Sequence, residues 1–471
     1  MKTNILLVAL FLLCVRSGFG QDHVRAPFTE ALPIPPLLER QVRNSGAVRF
    51  ELTARQGSMS YFKGTETPTL GYNGSYLGPT IRVRNGENVE LKVSNNLGEM
   101  TTVHWHGLHV PAEMDGGPHQ QIPAGKQWSP SFTINQAAAT LWYHPHPIGK
   151  TGEQVYRGLA GMFIIEDEVS DSLKIPRSYG TNDIPIILQD RRFKSDGSFS
   201  YTAGMPDVMQ GVLGEWLLVN GSIQPYLKVS GGMTRFRILN GSNSSIYKLT
   251  LSDRGSFFQI ASDGGFLEKP VPMSSLILAS GERAEILVDF SRYTKGQDLY
   301  LGVEDYRGAE FRAIQFRVSG ETTAGAAVPE RLTRIERLPA SSASKMRRFD
   351  LQTMGMGGML TINGRKMDMK RIDERVKLGN TEIWEVRNRS MGMMNLPHSL
   401  HIHDIQFQIL SRNGKEPPEN ERGWKDTIVV WPGDEVRVIA TFSDYPGIYM
   451  YHCHFLEHED EGMMGQFEVV D

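Results

Sequence analysis

The chain repeats itself at domain length, and this repeat constrains its fold more than any other feature. The stretch "YNGSYLGPTIRVRNGENVELKVSNN" from Tyr72 returns as "VNGSIQPYLKVSGGMTRFRILNGS" from Val219 and as "INGRKMDMKRIDERVKLGNTEIWEVRNRS" from Ile362. Each copy runs Asn-Gly, a short strand, a glycine turn, an alternating strand and then Asn. The Asn-Gly pairs begin at Asn73, Asn220 and Asn363, 147 and then 143 residues apart. A period that long is a whole domain rather than a solenoid unit. The copies also close alike, as strand, turn and strand, on "AGKQWSPSFTINQAAATLWYHPH", "SGERAEILVDFSRYTKGQDLYLGV" and "PGDEVRVIATFSDYPGIYMYHCH". Short alternating strands between turn residues indicate Greek-key β-sandwiches. The expected fold is all-β, with sandwiches over residues 21–168, 169–325 and 326–471 and linkers in "EVSDSLKIPRSYGTND" and the Ala/Ser/Pro-rich residues 321–344. The segment "APFTEALPIPPLLE" ahead of the first sandwich has too much proline for a central strand and is expected to lie extended over the surface.

Residues 1–20 read as an export signal, with Lys2, the apolar run "ILLVALFLLCV" and "GFG" before Gln21. The run is too short to span a bilayer comfortably, so no stable membrane anchor is expected after cleavage. The mature protein is expected in the periplasm or outside the cell, as a monomer. Cys14 falls inside the signal, which leaves Cys453 as the mature chain's one cysteine and excludes an internal disulfide. A lone thiol in an oxidising compartment is a hazard unless something occupies it. A net charge of −3 over 471 residues offers no basic face for nucleic acid.

A metal is the natural occupant. Ten of the 13 histidines fall in four sets: His104 and His106 in "HWHG", His144 and His146 in "HPH", His398, His401 and His403 in "HSLHIH", and His452, His454 and His458 around Cys453 in "HCHFLEH". All four lie in the outer copies; the middle copy has "SIYKLTL" and "YLGVEDY" instead. The sandwich therefore folds without these histidines, and they are additions to it. Residues i and i+2 of a strand share a face, so each His-x-His offers two imidazoles side by side. In His-Cys-His the two histidines face one way and Cys453 the other, so one strand serves two metal sites. A single His-x-His is more often a surface or satisfied core pair, but four sets confined to two of three copies are not. A structural zinc site needs only four ligands and gains nothing from a shared strand. Copper redox chemistry uses such a set. His23, His109 and His119 read as surface residues or neighbours of the ligands.

Together with "DGGPHQ", "HPHPIGKTGEQVYRGLAGMFIIED", "ASDGG", "RGWKDT" and "LEHEDEGMMGQF", these clusters resemble the bacterial multicopper oxidases, in the branch of cuprous oxidases and laccases. The resemblance spans essentially the whole mature chain. It implies three cupredoxin-like sandwiches and four copper ions: one type 1, one type 2 and two type 3. It also implies that Cys453, His398 and His458 hold the type 1 copper with a weak axial thioether, Met463 ahead of its neighbour Met464. His104 and His401 would hold the type 2 copper. His106, His144 and His454, and His146, His403 and His452, would hold the coupled type 3 pair. An acid eleven residues after the first cluster histidine, here Asp115, and one after the last, here Glu459, would handle the protons that reduction of O2 to water consumes.

The chain also departs from that pattern. Ser399 stands where proline usually follows the first histidine of the third set, Met394 and Asn395 stand where an aspartate is common, and the N-terminus has no arginine pair. In place of a long methionine-rich insertion there are only "MGMGGM" (Met354, Met356, Met359), "MDM" and "MGMM" with Met393 and Met394. Thioether is a soft ligand that prefers Cu(I), and "MGMGGM" has too much glycine for a packed core segment. These five methionines are candidate contacts for a Cu(I) substrate. The alternative substrate is a small phenol or aromatic amine giving electrons at His458 or His398. Behind the two oxidase readings stand a copper carrier and a copper-free scaffold; the first has no use for eight further histidines, and the second would have lost some of them.

Overall fold

The computed structural model describes residues 27–201, 204–322, 328–355, 358–390 and 395–471; residues 1–20, with the expected export signal, lie outside them. The strands form three sandwiches of two sheets each. In the first, Ile81–Arg84, Gly161–Glu166, Ala139–His144 and His104–His106 make one sheet in that order, facing a sheet built on Val48–Met59 and Asn88–Asn96. The second pairs a seven-stranded with a five-stranded sheet, and the third pairs two five-stranded sheets. Each sandwich contains the same two parallel pairings. These are Val48–Met59 with Asn88–Asn96 and Ile81–Arg84 with Gly161–Glu166 in the first. They recur as Asp183–Arg191 with Met233–Asn240 and Tyr226–Gly231 with Glu310–Thr322, and as Lys345–Gly355 with Thr381–Asn388 and Glu374–Lys377 with Met464–Val470. Parallel neighbours need a crossover connection, which separates this topology from a simple meander.

Asparagine explains why the repeat is visible in the sequence. Asn73, Asn220 and Asn363 take φ of 59°, 50° and 54°, a left-handed conformation that Asn tolerates better than bulkier residues. Their Oδ1 atoms accept the N–H groups of Thr53, Ile187 and Asp350, each at 2.7 Å. Their Nδ2 groups donate to the carbonyls of Glu51, Pro185 and Arg348, each at 2.9 Å. The Asn closing each copy repeats a second pattern. Asn95, Asn240 and Asn388 donate from Nδ2 to the carbonyl pairs Glu99 and Ile122, Ser245 and Leu278, and Leu396 and Val430. Their Oδ1 atoms accept the N–H two residues on. These side chains satisfy backbone groups that the sheet leaves over at the same places in all three copies.

The N-terminal segment is extended as expected, but it is not a free surface strand. Phe28 and Leu32 are buried. Leu32 N–H donates to Tyr226 O at 2.7 Å, and Leu38 N–H to Thr80 O at 2.8 Å. The segment thus straps the second sandwich to the first, with Pro33, Pro35 and Pro36 between the two attachments, where no N–H is needed. The linker after the first sandwich holds one helical turn, Glu168–Ser172, capped by Asp167 and Ser170. Among the described residues no helix is long and apolar enough to cross a membrane.

Asn220 is buried and also donates to Pro33 O at 2.8 Å, so it serves both the turn and the strap. Asn220→Ala should cost about 2–4 kcal/mol through the orphaned backbone groups and the left-handed φ. Asn220→Gly should recover the conformational part, about 1 kcal/mol. Urea unfolding of the metal-free protein measures both; equal costs for Ala and Gly would show that the turn conformation carries no strain.

Candidate metal centre

Two strand pairs, one from each outer sandwich, bring eight imidazoles together. His104–His106 lies antiparallel to Ala139–His144, with His104 opposite His144. His398–Ile402 lies antiparallel to Gly447–Cys453, with His401 opposite His452. His146, His403 and His454 follow directly beyond these strands. The two halves meet ring on ring: His104 stacks on His403 at 3.9 Å between centroids and His106 on His401 at 3.6 Å. All eight rings are fully buried.

Each of these rings turns one nitrogen to an oxygen and the other inward. The Nδ1 atoms of His104, His144, His401 and His452 meet the backbone carbonyls of Asp115 (3.0 Å), Pro145 (2.8 Å), Asp426 (2.9 Å) and Cys453 (3.1 Å). His403 Nδ1 meets Asp115 Oδ2 at 2.9 Å, His454 Nδ1 meets Ser280 Oγ at 3.2 Å, and His146 Nδ1 lies 3.1 Å from Glu459 Oε1. His106 is reversed: its Nε2 meets Asp426 Oδ1 at 3.1 Å and its Nδ1 faces His144 Nε2 at 3.4 Å. A ring nitrogen that donates outward leaves the other with its lone pair, the arrangement that fixes an imidazole as a metal ligand.

The inward nitrogens have no protein donor to answer them. Nε2 of His104, His401 and His454 is buried without a hydrogen-bond partner. Nε2 of His452 lies 3.2 Å from Nε2 of both His146 and His403, an approach of lone pairs that a shared cation would relieve. Burial, and then the neighbouring rings, lowers His106, His146 and His401 far below the ordinary imidazole range, so they stay neutral and able to coordinate. The donor set fits copper, for which imidazole is a good ligand. His146, His403 and His452, one of the sets that the resemblance implies, form one group of ligand atoms within 4.8 Å of one another. His106 and His144 do so with His104 rather than His454; the His454 ring sits 5.0 Å and 5.4 Å from theirs.

The second site lies on the other face of the Cys453 strand. Nδ1 of His398 and Nδ1 of His458 each lie 3.5 Å from Cys453 Sγ. Burial pushes the thiol up to about 12, so the thiolate forms only with a cation beside it. His458 and Glu459 ride on the helix Leu456–Asp460. The first sandwich holds it through Thr151 and Gly152 N–H, each 2.9 Å from Asp460, and the second through Asn243 Nδ2, which donates to Glu457 at 2.7 Å. Met463 and Met464 are both buried. Met463 joins the apolar core that contains Cys453, whereas Met464 stands opposite His452 in the ladder and so shares the His452 face.

The two carboxylates differ in what surrounds them. Burial acts to raise Asp115, but His403 and then His104 outweigh it and hold the carboxyl well below the usual range. For Glu459 burial and then Asp460 act together and push it well above that range. Its Oε2 lies 3.2 Å from His452 Nδ1. The two acids are thus shifted in opposite directions beside the same cluster.

Among the methionines, Met354 is 59% exposed and stands opposite half-buried Met359 in a hairpin of Lys345–Gly355 and Gly358–Ile362. The glycine-rich stretch is thus paired strand on both sides rather than the loose segment its composition suggests, because the ladder satisfies backbone that glycine leaves bare. Met356, Met393 and Met394 lie outside the described residues. His119 is exposed, and its Nε2 lies 2.6 Å from Gln466 Oε1; His109 is sandwiched between Asp404 and Asp444. His23 lies outside the described residues. Sequence reasoning missed Asp426 and Ser280 as partners of His106 and His454. The motif "RGWKDT" contains Asp426, but nothing in its spacing assigns it a partner.

Sequence profiles described as multicopper oxidase match residues 53–170 and 340–471. The chain is 39% identical over 441 residues to the multicopper oxidase Mco of Staphylococcus aureus, covering 93% of this chain and 92% of that protein. It is 38% identical over 459 residues to the cell division protein FtsP of Escherichia coli, covering 93% of each. A solved structure of a laccase from Pediococcus acidilactici matches with a TM-score of 0.88 at 38% identity, over 95% of each chain.

The thiol makes a measurable demand on metal binding. Loading Cu(II) onto the metal-free protein near pH 7.5 should release one more proton from the wild type than from Cys453→Ser, because the buried thiol must ionise to bind. The variant should also lack the thiolate-to-copper absorption. Equal proton release from both would remove Cys453 from the ligand set.

Proposed function

The chain belongs to the multicopper oxidase family, copper-dependent oxidoreductases that use O2, and on that premise we propose that its reducing substrate is Cu(I). In this reading Cys453, His398, His458 and Met463 would hold the type 1 copper. His104 and His401 would hold the type 2 copper, and His106, His144 and His454, with His146, His403 and His452, would hold the type 3 pair. Bound there, four one-electron ions supply the electrons that reduction of O2 to water takes. The chain's own contribution is to position and to move protons. The backbone at Cys453 links the thiolate directly to His452 and His454, so the path between the two sites is a few covalent bonds. Glu459, whose carboxyl is pushed up beside His146 and His452, would supply protons, and Asp115, whose carboxyl is held low at His403, would accept and pass them on. The alternative axial ligand, Met464, faces the wrong side of its strand. The reading includes export to the periplasm or beyond, resting on the apolar run after Lys2.

The observation that carries the Cu(I) reading is the closure of both imidazoles beside Cys453. His398 and His458 are each 0% exposed. Nε2 of His398 meets Ser390 Oγ at 3.1 Å and Thr353 Oγ1 at 3.3 Å, and Nε2 of His458 meets the Met209 carbonyl at 3.1 Å. A phenol or aromatic amine therefore has no ring edge to meet. Soft thioethers lie in the covering segments instead. Met354 follows Thr353 in its strand, and Met205, 58% exposed, shares the helix Met205–Gln210 with Met209. The second reading, a laccase acting on phenols or aromatic amines, is favoured by the likeness to a protein described as one.

Changing Met205, Met354 and Met359 together to Leu keeps the apolar volume and removes the sulfur. The triple variant should lose about tenfold or more in kcat/KM for Cu(I), equivalent to ~1.4 kcal/mol, and much less for a phenol assayed in the same buffer. Equal losses on both substrates would indicate damage to the site, and no loss on either would put the laccase reading first.

A further inference from the structure

The middle sandwich contributes no histidine, since none occurs between His146 and His398, yet one of its turns reaches the histidine cluster at two points. The turn Ala279–Arg283 is closed by Glu282 N–H donating to Ala279 O at 3.0 Å, with Gly281 at φ +87°. At its end Arg283, 1% exposed, grips Asp426 with both arms, Nη1 to Oδ1 and Nη2 to Oδ2, each at 2.6 Å. Its remaining donors go to the carbonyls of Thr140 (3.1 Å), Gly281 (3.0 Å) and Asp263 (3.1 Å). All five N–H groups of the guanidinium are thereby used, so the plane of the Asp426 carboxylate is fixed from the middle sandwich. That carboxylate faces His106 Nε2 at 3.1 Å, alongside Thr427 Oγ1, which lies equally near and itself donates to Asp426 Oδ1 at 2.8 Å. An ionised carboxylate only accepts, so His106 must carry its hydrogen on Nε2 and turn the Nδ1 lone pair inward.

The second point is Ser280. Its Oγ donates to Ser242 O at 2.6 Å, which leaves a lone pair to accept from His454 Nδ1 at 3.2 Å. Gly281 lies so close that a Cβ there would stand 3.0 Å from the His454 ring, so the backbone itself is a wall for that imidazole. His106 and His454 are the two rings whose outward partners are not a backbone carbonyl or one of the two acids, Asp115 and Glu459. They belong, with His144, to the same copper in the functional reading above.

We propose that the turn Ala279–Arg283 is a positioning element for one metal of the trinuclear site, Arg283 setting the ring of His106 through Asp426 and Ser280 setting that of His454. The inference rests on the trinuclear assignment of the preceding section. Partners of this kind are worth about 10–100-fold in metal affinity. Arg283→Lys keeps the charge and loses the fork, whereas Ser280→Ala removes one oxygen and disturbs no ion pair. In each, stepwise competition of the copper-loaded protein with a chelator should show one copper held about 10–100-fold more weakly, with the type 1 thiolate absorption unchanged. A coupled copper pair is silent in electron paramagnetic resonance, so loss of one member should uncover a new Cu(II) signal. A purely structural role would lower thermal stability without that signal. Unchanged copper retention and spectrum in both variants would overturn the proposal, as would loss of all four coppers together with the type 1 absorption. A wild type that binds no copper at these histidines would overturn the trinuclear assignment itself, and this is seen before any substitution is made.

Discussion

Everything about the centre follows from the cost of taking imidazole out of water. A buried ring nitrogen needs a partner, and a buried charged ring needs more than that. The protein places an oxygen behind each ring of the cluster, and burial with the neighbouring rings keeps His106, His146 and His401 neutral. The inward nitrogens are then left with lone pairs and no donors. The cavity is accordingly assembled for cations before any arrive, and its shape is set by the oxygens behind the rings as much as by the rings themselves. The same principle sorts the two acids, since burial governs Glu459 while the His403 and His104 rings override it at Asp115.

The centre lies at a seam, so docking of the sandwiches is part of the site. Buried charges stitch that seam: Lys425 Nζ lies 2.7 Å from Asp263 and 3.0 Å from Glu282, and Arg237 joins Asp183 at 2.8 Å and Glu285 at 3.0 Å, next to Thr140 of the first sandwich. Pairs so deeply desolvated add little net stability, but a misdocked arrangement would strand Lys425 away from its two acids. Their contribution is to make one docking geometry far better than its neighbours.

Much of this was legible in the sequence because the fold uses side chains with restricted tasks. Asn at a left-handed turn and His at alternate strand positions leave periodic marks, and both survived in the third copy, where the apolar pattern is much altered. The parts that were not legible are carried by groups without such a mark. The cap on His458 is the backbone carbonyl of Met209, which any residue would supply. Ser280 and Arg283 act across a domain boundary, where sequence distance says nothing about contact. The glycine-rich "MGMGGM" read as loose because glycine has low strand propensity, yet cross-strand pairing of Met354 with Met359 overrides that preference. The N-terminal proline stretch reads as extended, but its attachment to two sandwiches rests on paired backbone bonds, Glu30 and Leu32 with Tyr226 and Pro36 and Leu38 with Thr80, which no spacing announces.

That attachment has a kinetic corollary. The bond from Leu32 to Tyr226 encloses the whole first sandwich, and Tyr226 begins the strand Tyr226–Gly231 at the edge of its sheet. Closing so long a loop spends chain entropy before any contact repays it, so the segment synthesised early is among the last to be set. Until it docks, Tyr226 at the start of that edge strand has its N–H and C=O unpaired, open to another unfolded copy. The segment ahead of the first sandwich therefore bears on how long the newly made protein is prone to aggregate, a property of its assembly and separate from its turnover.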